Sequence, residues 1–479
     1  MKRSFTHFFL LACIAVKLLA LSSCANILPP SGGPRDSLPP KLVMSVPRDS
    51  ATHVTSKNIT LTFDEYVVLE SPLQNVIISP APSPQGTPVF DSKLRTVTIK
   101  LKDSLEPNTT YSINFGKAVK DVNEGNIAKG LIYVFSTGAT VDYNTYSGKV
   151  INAETGKTDD STLLVVLHRN LADSAISKLS PRYYARLNGK GEFVFHNLPQ
   201  GNFNVFVVAD VYSKKYIDSS KMFAFRNSPV TISATTPTDT LYAFKAFKAP
   251  EKSATAGASP STPRPAARSL PVNKEDKRLK FITTLENGAQ DLLSDMMITF
   301  NRGLKNFDSS KIVLYDTNYN KLSGYHIFRD TGKTSLIVQY PWKENFPLRL
   351  LIAKDAVADS AGITLLKADT IKLYTKKETD YGSVRIGFSN LDLSRNPVLQ
   401  IVQNNILLES IPLTQREFRR KRFHPGAYEL RILYDANKNG VWDTGKFLGG
   451  NKRQPEIVYL IPKQLAIRSN WDNEVTITL

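Results

Sequence analysis

Apolar and polar positions alternate along most of this chain. Ile59-Thr60-Leu61-Thr62-Phe63 and Thr96-Val97-Thr98-Ile99-Lys100-Leu101 put an apolar residue at every second place, as strands with one buried face do. Tyr111-Ser112-Ile113-Asn114-Phe115 keeps the same period, and Tyr133-Val134-Phe135 follows as a short apolar run. Turn formers separate these runs at Glu106-Pro107-Asn108 and Asn123-Glu124-Gly125-Asn126. No segment carries a convincing helical period. Short strands at this spacing predict an all-β protein built of sandwiches.

The layout then repeats. ITFNRGL (298–304) echoes LTFDEYV (61–67), and Ile312-Val313-Leu314 echoes Val76-Ile77-Ile78. LRLLIAKDAVADSAG (348–362) echoes YSINFGKAVKDVNEG (111–125) with one residue inserted, and Ile371 and Leu373 stand where Tyr133 and Phe135 stood. The segments that follow also match. Phe203 to Val207 leads to Asp210 after a Pro199-Gln200-Gly201 turn, and Tyr428 to Ile432 leads to Asp435 after Pro425-Gly426. The chain therefore reads A–B–linker–A′–B′, four tandem β-sandwiches of ordinary domain size.

Two stretches cannot build a core. ANILPPSGGPRDSLPP after Cys24 and PEKSATAGASPSTPRPAARSLP (250–271) are rich in Pro, Gly, Ala and Ser. They read as a tether and as a linker between two halves. The first residues read as a targeting segment: Lys2 and Arg3, an apolar run from Phe8 to Leu21 broken by Lys17, then Leu21-Ser22-Ser23-Cys24. The only cysteines are Cys13 and Cys24, so the body of the protein holds no disulfide. Leu-Ser-Ser-Cys resembles a bacterial lipobox, which implies that Cys24 carries the lipid (palmitate among the acyl chains) of the mature protein.

Lys41 to Gly138, with ITLTFDEYV, PNTTYSINFG and VFSTG, resembles the surface-layer (SbsA-type) Ig-like domain class. Phe63-Asp64-Glu65-Tyr66-Val67 stands where that class carries F-S-E-P-V. Residues 146–248, opening YSGKVINAETGK and containing GEFVFHNLPQGNFNVFVVAD, are similar to the prealbumin-like domain of carboxypeptidase regulatory and collagen-adhesin B-type modules. The arrangement as a whole resembles Ig-like-domain lipoproteins of the Bacteroidota. The expected organisation is a signal over 1–23, a tether over 24–38, an Ig-like domain over 39–139 and a prealbumin-like domain over 140–248. A linker over 249–276 then leads to a degenerate Ig-like domain over 277–377 and a second prealbumin-like domain over 378–479.

Chemistry is sparse. None of the six histidines forms a close metal-binding pair, and no nucleotide or nucleophile motif appears. His168 and His196 fall within one domain and could meet. Asp64 and Glu65 are adjacent on a strand, so they face opposite sides and do not form an acid–base pair. No catalytic residue is assigned. Net charge is +18, or +15 once Lys2, Arg3 and Lys17 are removed with the signal. REFRRKRFH (416–424) concentrates it, and reads as a solvated strand face with attraction to an anionic membrane as the second account.

YDANKNGVWDTG (434–445) is the most suggestive stretch. Asp435, Asn437, Asn439, the Val441 carbonyl and Asp443 have calcium-loop spacing, with Gly440 at the turn. The loop follows a strand rather than a helix, and Lys446 stands where a bidentate Glu belongs. Its sister DVYSKKYID (210–218) has lost two ligand positions, to Tyr212 and Lys214. Two readings stay open: a structural calcium site, with water or Glu456 completing the shell, or a turn closed by its own side chains. No cofactor is required.

The expected protein is thus a non-enzymatic, lipid-anchored envelope scaffold or binding module, with a membrane and envelope proteins or glycans as partners and no nucleic acid. One rival is a glycan- or peptidoglycan-binding adhesin, presenting Tyr183, Tyr184 and Tyr216, or Trp342 and Trp442. An envelope hydrolase is the other. Its ligand-binding residues are unknown. In lipoproteins of the type it resembles, surface export goes with acids just after the lipidated cysteine. Here Ala25-Asn26-Ile27-Leu28-Pro29 follows, so the expectation is an outer-membrane anchor with the body in the periplasm.

Overall fold

A computed structural model describes residues 36–158, 162–246 and 278–479. Cys24, the signal, the first part of the tether and the expected linker lie outside the described residues. The chain divides after Val141 into two compact units. No helix among the described residues is long and apolar enough to cross a membrane.

The first unit follows from its alternation. Asn58–Phe63 buries Ile59, Leu61 and Phe63, and its neighbour Thr96–Lys100 buries Val97 and Ile99. Leu42–Val46 and Val89–Lys93 flank these two strands and complete a four-stranded antiparallel sheet. Opposite it lie Ile77–Ser79, Thr110–Asn114 and Ile132–Ser136, which bring Ile113, Tyr133 and Phe135 into the same core. Each such side chain, fully buried, stabilises the fold by about 1.5–3 kcal/mol.

The second unit holds three more sandwiches. Its first pairs a three-stranded sheet, with Asn144–Asn152 between Glu192–Leu198 and Asp239–Ala243, against a five-stranded one. In the five-stranded sheet Tyr183–Arg186, Leu164–His168 and Gly201–Val208 run in order, and Phe223–Phe225 and Val230–Ile232 share the last strand. The final sandwich has the same order throughout: Glu417–Phe423, Gly382–Ser389, Asp472–Thr478, then Ile406–Pro412, Pro397–Gln403 and Gly426–Tyr434 with its two partners. The turns expected before the two long strands are present. Gly201 (φ +148) and Gly426 (φ +153) hold backbone angles that other residues adopt only under strain. Between these sandwiches lies one resembling the first unit, with sheets built around Met296–Phe300 and Pro347–Ile352.

Within the second unit, the second and fourth sandwiches pack together, so the described residues on either side of the expected linker are in contact. Leu164, Val166, Phe206, Val208, Phe223 and Phe225 face away from the second sandwich's own core and form a second apolar layer. Phe447 of the fourth sandwich is buried in that layer. The physical cause lies in two unbroken apolar runs, Leu163 to Leu167 and Val205 to Val208, which bury both faces of their sheet.

Candidate functional site: the 435–443 loop and the arm behind it

The strand Gly426–Tyr434 ends on Asp435, which is 1% exposed. Its Oδ1 accepts the Lys438 N–H at 2.7 Å and its Oδ2 the Gly440 N–H at 2.6 Å. Lys438 (φ +62) and Gly440 (φ +76) make the bends that aim these donors inward. Asn437 Oδ1 accepts from Asn439 N–H, and Asn439 Oδ1 from Val441 N–H. Both asparagine amides donate to Asp443 Oδ2. Glu456 closes the loop from outside, accepting the Ala436 N–H at 2.7 Å and the Asp443 N–H at 3.0 Å.

The loop therefore gathers Asp435, Asn437, Asn439 and Asp443, with the Val441 backbone next to them and Glu456 beside them. Their side chains serve the loop's own N–H groups. Among the described residues no group of three or more His, Cys, Asp or Glu is placed to hold a metal. A calcium ion here would rely on amide and carbonyl oxygens as much as on carboxylates, and the donor set fits that cation's taste for oxygen. The sister loop closes differently. Asp210 takes the Tyr212 and Ser213 N–H groups and the Ser213 hydroxyl, which hold its carboxyl below the usual range.

What the loop positions is an arm. Fifteen positions separate Asp443 from the next strand at Val458, against five between Asp218 and Phe223 in the sister copy. The extra residues reach the second sandwich. Phe447 sits among Phe206, Phe223 and Phe225 with ring centroids 5.6, 5.0 and 4.9 Å away. Gly445 lies flat on the Phe244 ring, where a Cβ would come within 2.6 Å. Thr444 Oγ1 donates to the Lys245 carbonyl, Gln454 Nε2 to the Phe225 carbonyl and Asn227 Oδ1, and the Val458 N–H to the Ala153 carbonyl. Lys452 pairs with Asp173, and Lys157 with Glu429. Sequence reading missed this arm. Its signal was the length difference between the two copies.

The other candidates lie apart from this loop, most of them in the cores or on strand faces. Tyr183, Tyr216 and Trp342 are buried, and Tyr184 and Trp442 are half-buried, so the aromatics named for a glycan-binding adhesin form no exposed platform. Asp64 Oδ1 accepts the Lys41 N–H as a strand cap. His168 is 4% exposed and His196 is exposed on the opposite sheet, so the two do not meet. Burial pushes the His168 imidazole down to about 4. On the basic strand, Arg420 forms a two-pronged pair with Glu409, and Arg422 pairs with Glu378. Arg385 and Arg419 share Glu417 and hold its carboxyl down at about 2.

Comparison with known proteins adds a family for one part. No curated protein matches the chain. Among solved structures it is similar to the MG0-NIE-MG1 domains of native alpha-2-macroglobulin from Escherichia coli, at 12% identity over 38% of this chain and 71% of that one, TM-score 0.19. It is also similar to the Bacillus anthracis TIE protein, at 9% identity over 94% and 75%, TM-score 0.16. BcpA, the major pilin subunit of Bacillus cereus, matches at 8% identity over 70% and 99%, TM-score 0.18. Scores this low carry no argument about function. Residues 36–137 match the bacterial Ig-like domain, and the first unit carries that domain.

Proposed function

We propose that the protein is a non-enzymatic scaffold of the bacterial cell envelope, acylated on Cys24 and held to the outer membrane with its body in the periplasm. The observation that carries this reading is how its polar groups are used. The carboxylates and guanidiniums that looked like chemistry serve turns, strand faces and the contact between sandwiches. Leu21-Ser22-Ser23-Cys24 followed by a Pro/Gly-rich tether supports the anchor.

Fractionation tests it. Wild-type protein should take up labelled palmitate and follow the membrane fraction, and Cys24→Ser should do neither. Label retained by the serine variant would remove Cys24 as the attachment point. Protease added to intact cells should leave the protein whole, and ready digestion with the outer membrane sealed would reverse the orientation. A second reading, a module that binds envelope glycans, is favoured by one further feature of the second unit.

A further inference from the structure

The first unit's described residues are electrically balanced, with ten Lys and Arg against ten Asp and Glu between residues 36 and 141. Residues 278–377 carry fifteen against ten. Part of that excess lines a cleft. The strand Leu304–Phe307 and the hairpin His326–Arg329 and Ser335–Gln339 enclose an open space of about 600 Å3 bordered by Lys305, Arg329 and Lys333. Its two walls form one framework, because the Leu304 N–H donates to the Lys333 carbonyl.

These cations differ from those of the basic strand. Arg419, Arg420 and Arg422 each meet a carboxylate there. In the cleft, Arg329 Nη1 donates to the carbonyls of Leu304 (2.8 Å) and Lys305 (3.1 Å), which fix its position without cancelling its charge. Neither Lys305 nor Lys333 enters an ion pair among the described residues. Asp330 is the one acid at the edge, and its Oδ1 accepts the Thr334 and Ser335 N–H groups of its own turn. Asn306 and Thr331 add an exposed amide and hydroxyl, and Phe307 a half-buried apolar ring.

We propose that this cleft binds an acidic saccharide, its carboxylate or phosphate held by Lys305, Arg329 and Lys333 and its hydroxyls by Asn306 and Thr331. The inference rests on the glycan-binding reading above. The space lies within the size range of small-ligand sites, about 300–1,000 Å3, and far exceeds one phosphate. Its lining is polar and charged where an apolar ligand wants the reverse. A nucleic acid strand wants a row of stacking rings, and Phe307 is a single ring, half-buried.

The test uses the full mature chain and three probes: oligogalacturonate, neutral dextran and inorganic phosphate. Calorimetry should show binding of oligogalacturonate, weakening as salt rises from about 50 to about 300 mM, with none to dextran. Lys305→Glu and Lys333→Glu should each weaken it at least roughly tenfold, about 1.4 kcal/mol. Arg419→Glu makes the same change in net charge on the neutralised strand and should weaken it less than about twofold. Equal loss in all three variants would mean attraction to net charge alone and overturn the site. So would unchanged binding in both lysine variants, equal binding of dextran, or inorganic phosphate binding as tightly as the saccharide. Melting curves of the variants separate misfolding from lost contact. Membrane fractionation of the Cys24→Ser variant reads the scaffold proposal independently.

Discussion

At the scale of single residues, the repeat allows one copy to be read against the other. Asp64 and Asn301 both cap the strand before them, accepting the N–H of Lys41 and of Lys280. The next residue is Glu65 in the first unit and Arg302 in its counterpart. Arg302 pairs with the buried Asp359, whereas Glu65 faces the equally buried Asp121. Burial and then the charges of Asp121, Asp64, Asp36 and Glu124 push the Glu65 carboxyl up. Its charged form is therefore disfavoured in the fold, and this penalty fades as pH falls through its raised range. Glu65→Arg should install the other copy's ion pair and raise the first unit's stability by about 1 kcal/mol at neutral pH. A lower melting temperature would show that the two environments are not equivalent. His168 has the opposite sign. Its imidazole is neutral when buried, so its contribution is complete above pH 6.5 and is lost as pH falls towards about 4. Thermal melts across that window should show a loss of roughly 2–3 kcal/mol, and His168→Phe should flatten it. An unchanged acid limb would place the loss elsewhere.

At the scale of elements, the loop and the arm give separate predictions. Calcium held by Asp435, Asn437, Asn439, the Val441 carbonyl and Asp443, with an affinity near 10⁻⁴ M, should stabilise the protein by about 2.7 kcal/mol at about 10 mM ion. Asp435→Asn or Asp443→Asn should remove that response and Asp210→Asn should not. Superimposed melting curves in calcium and chelator would leave the loop as a set of Asx turns. The arm is tested by cutting the chain. Proteolysis beside Arg264 or Arg268 should give two pieces that still co-elute, held by the Phe447 socket and the Val458–Ala153 hydrogen bond. Phe447→Asp should let them part, and Phe447→Ala should weaken the contact by about 3–5 kcal/mol. Pieces that separate in the wild type would remove the docking. The strands were legible because their alternation is local, as in Asn58–Phe63. The arm was not, because nothing within residues 444–458 says which sheet accepts Phe447.

At the scale of the molecule, the same limit explains which features could be read. Tandem sandwiches and their duplication followed from period and from matching turns, which are properties of neighbouring residues. The partners of REFRRKRFH did not follow, since Glu378 and Glu409 lie on other elements and only folding brings them to Arg422 and Arg420. The apolar runs at Leu163 to Leu167 and Val205 to Val208 lie in a sheet buried on both sides, which the expected alternation of one-sided strands did not include. The cover on its outer face has a consequence for how the protein is made. Phe447 is synthesised more than two hundred residues after the strands it shields, so the nascent chain has only Ile176, Tyr216 and Phe244 over part of this apolar face until its last domain emerges. Such a face is prone to aggregate. A chain stopped after residue 377 should bind a hydrophobic dye or precipitate, although each of its remaining sandwiches keeps its own core. A soluble, dye-silent monomer of that length would mean that the second sandwich covers this face by itself. The order of synthesis therefore leaves this layer open to a holding chaperone until the C-terminus of the chain arrives.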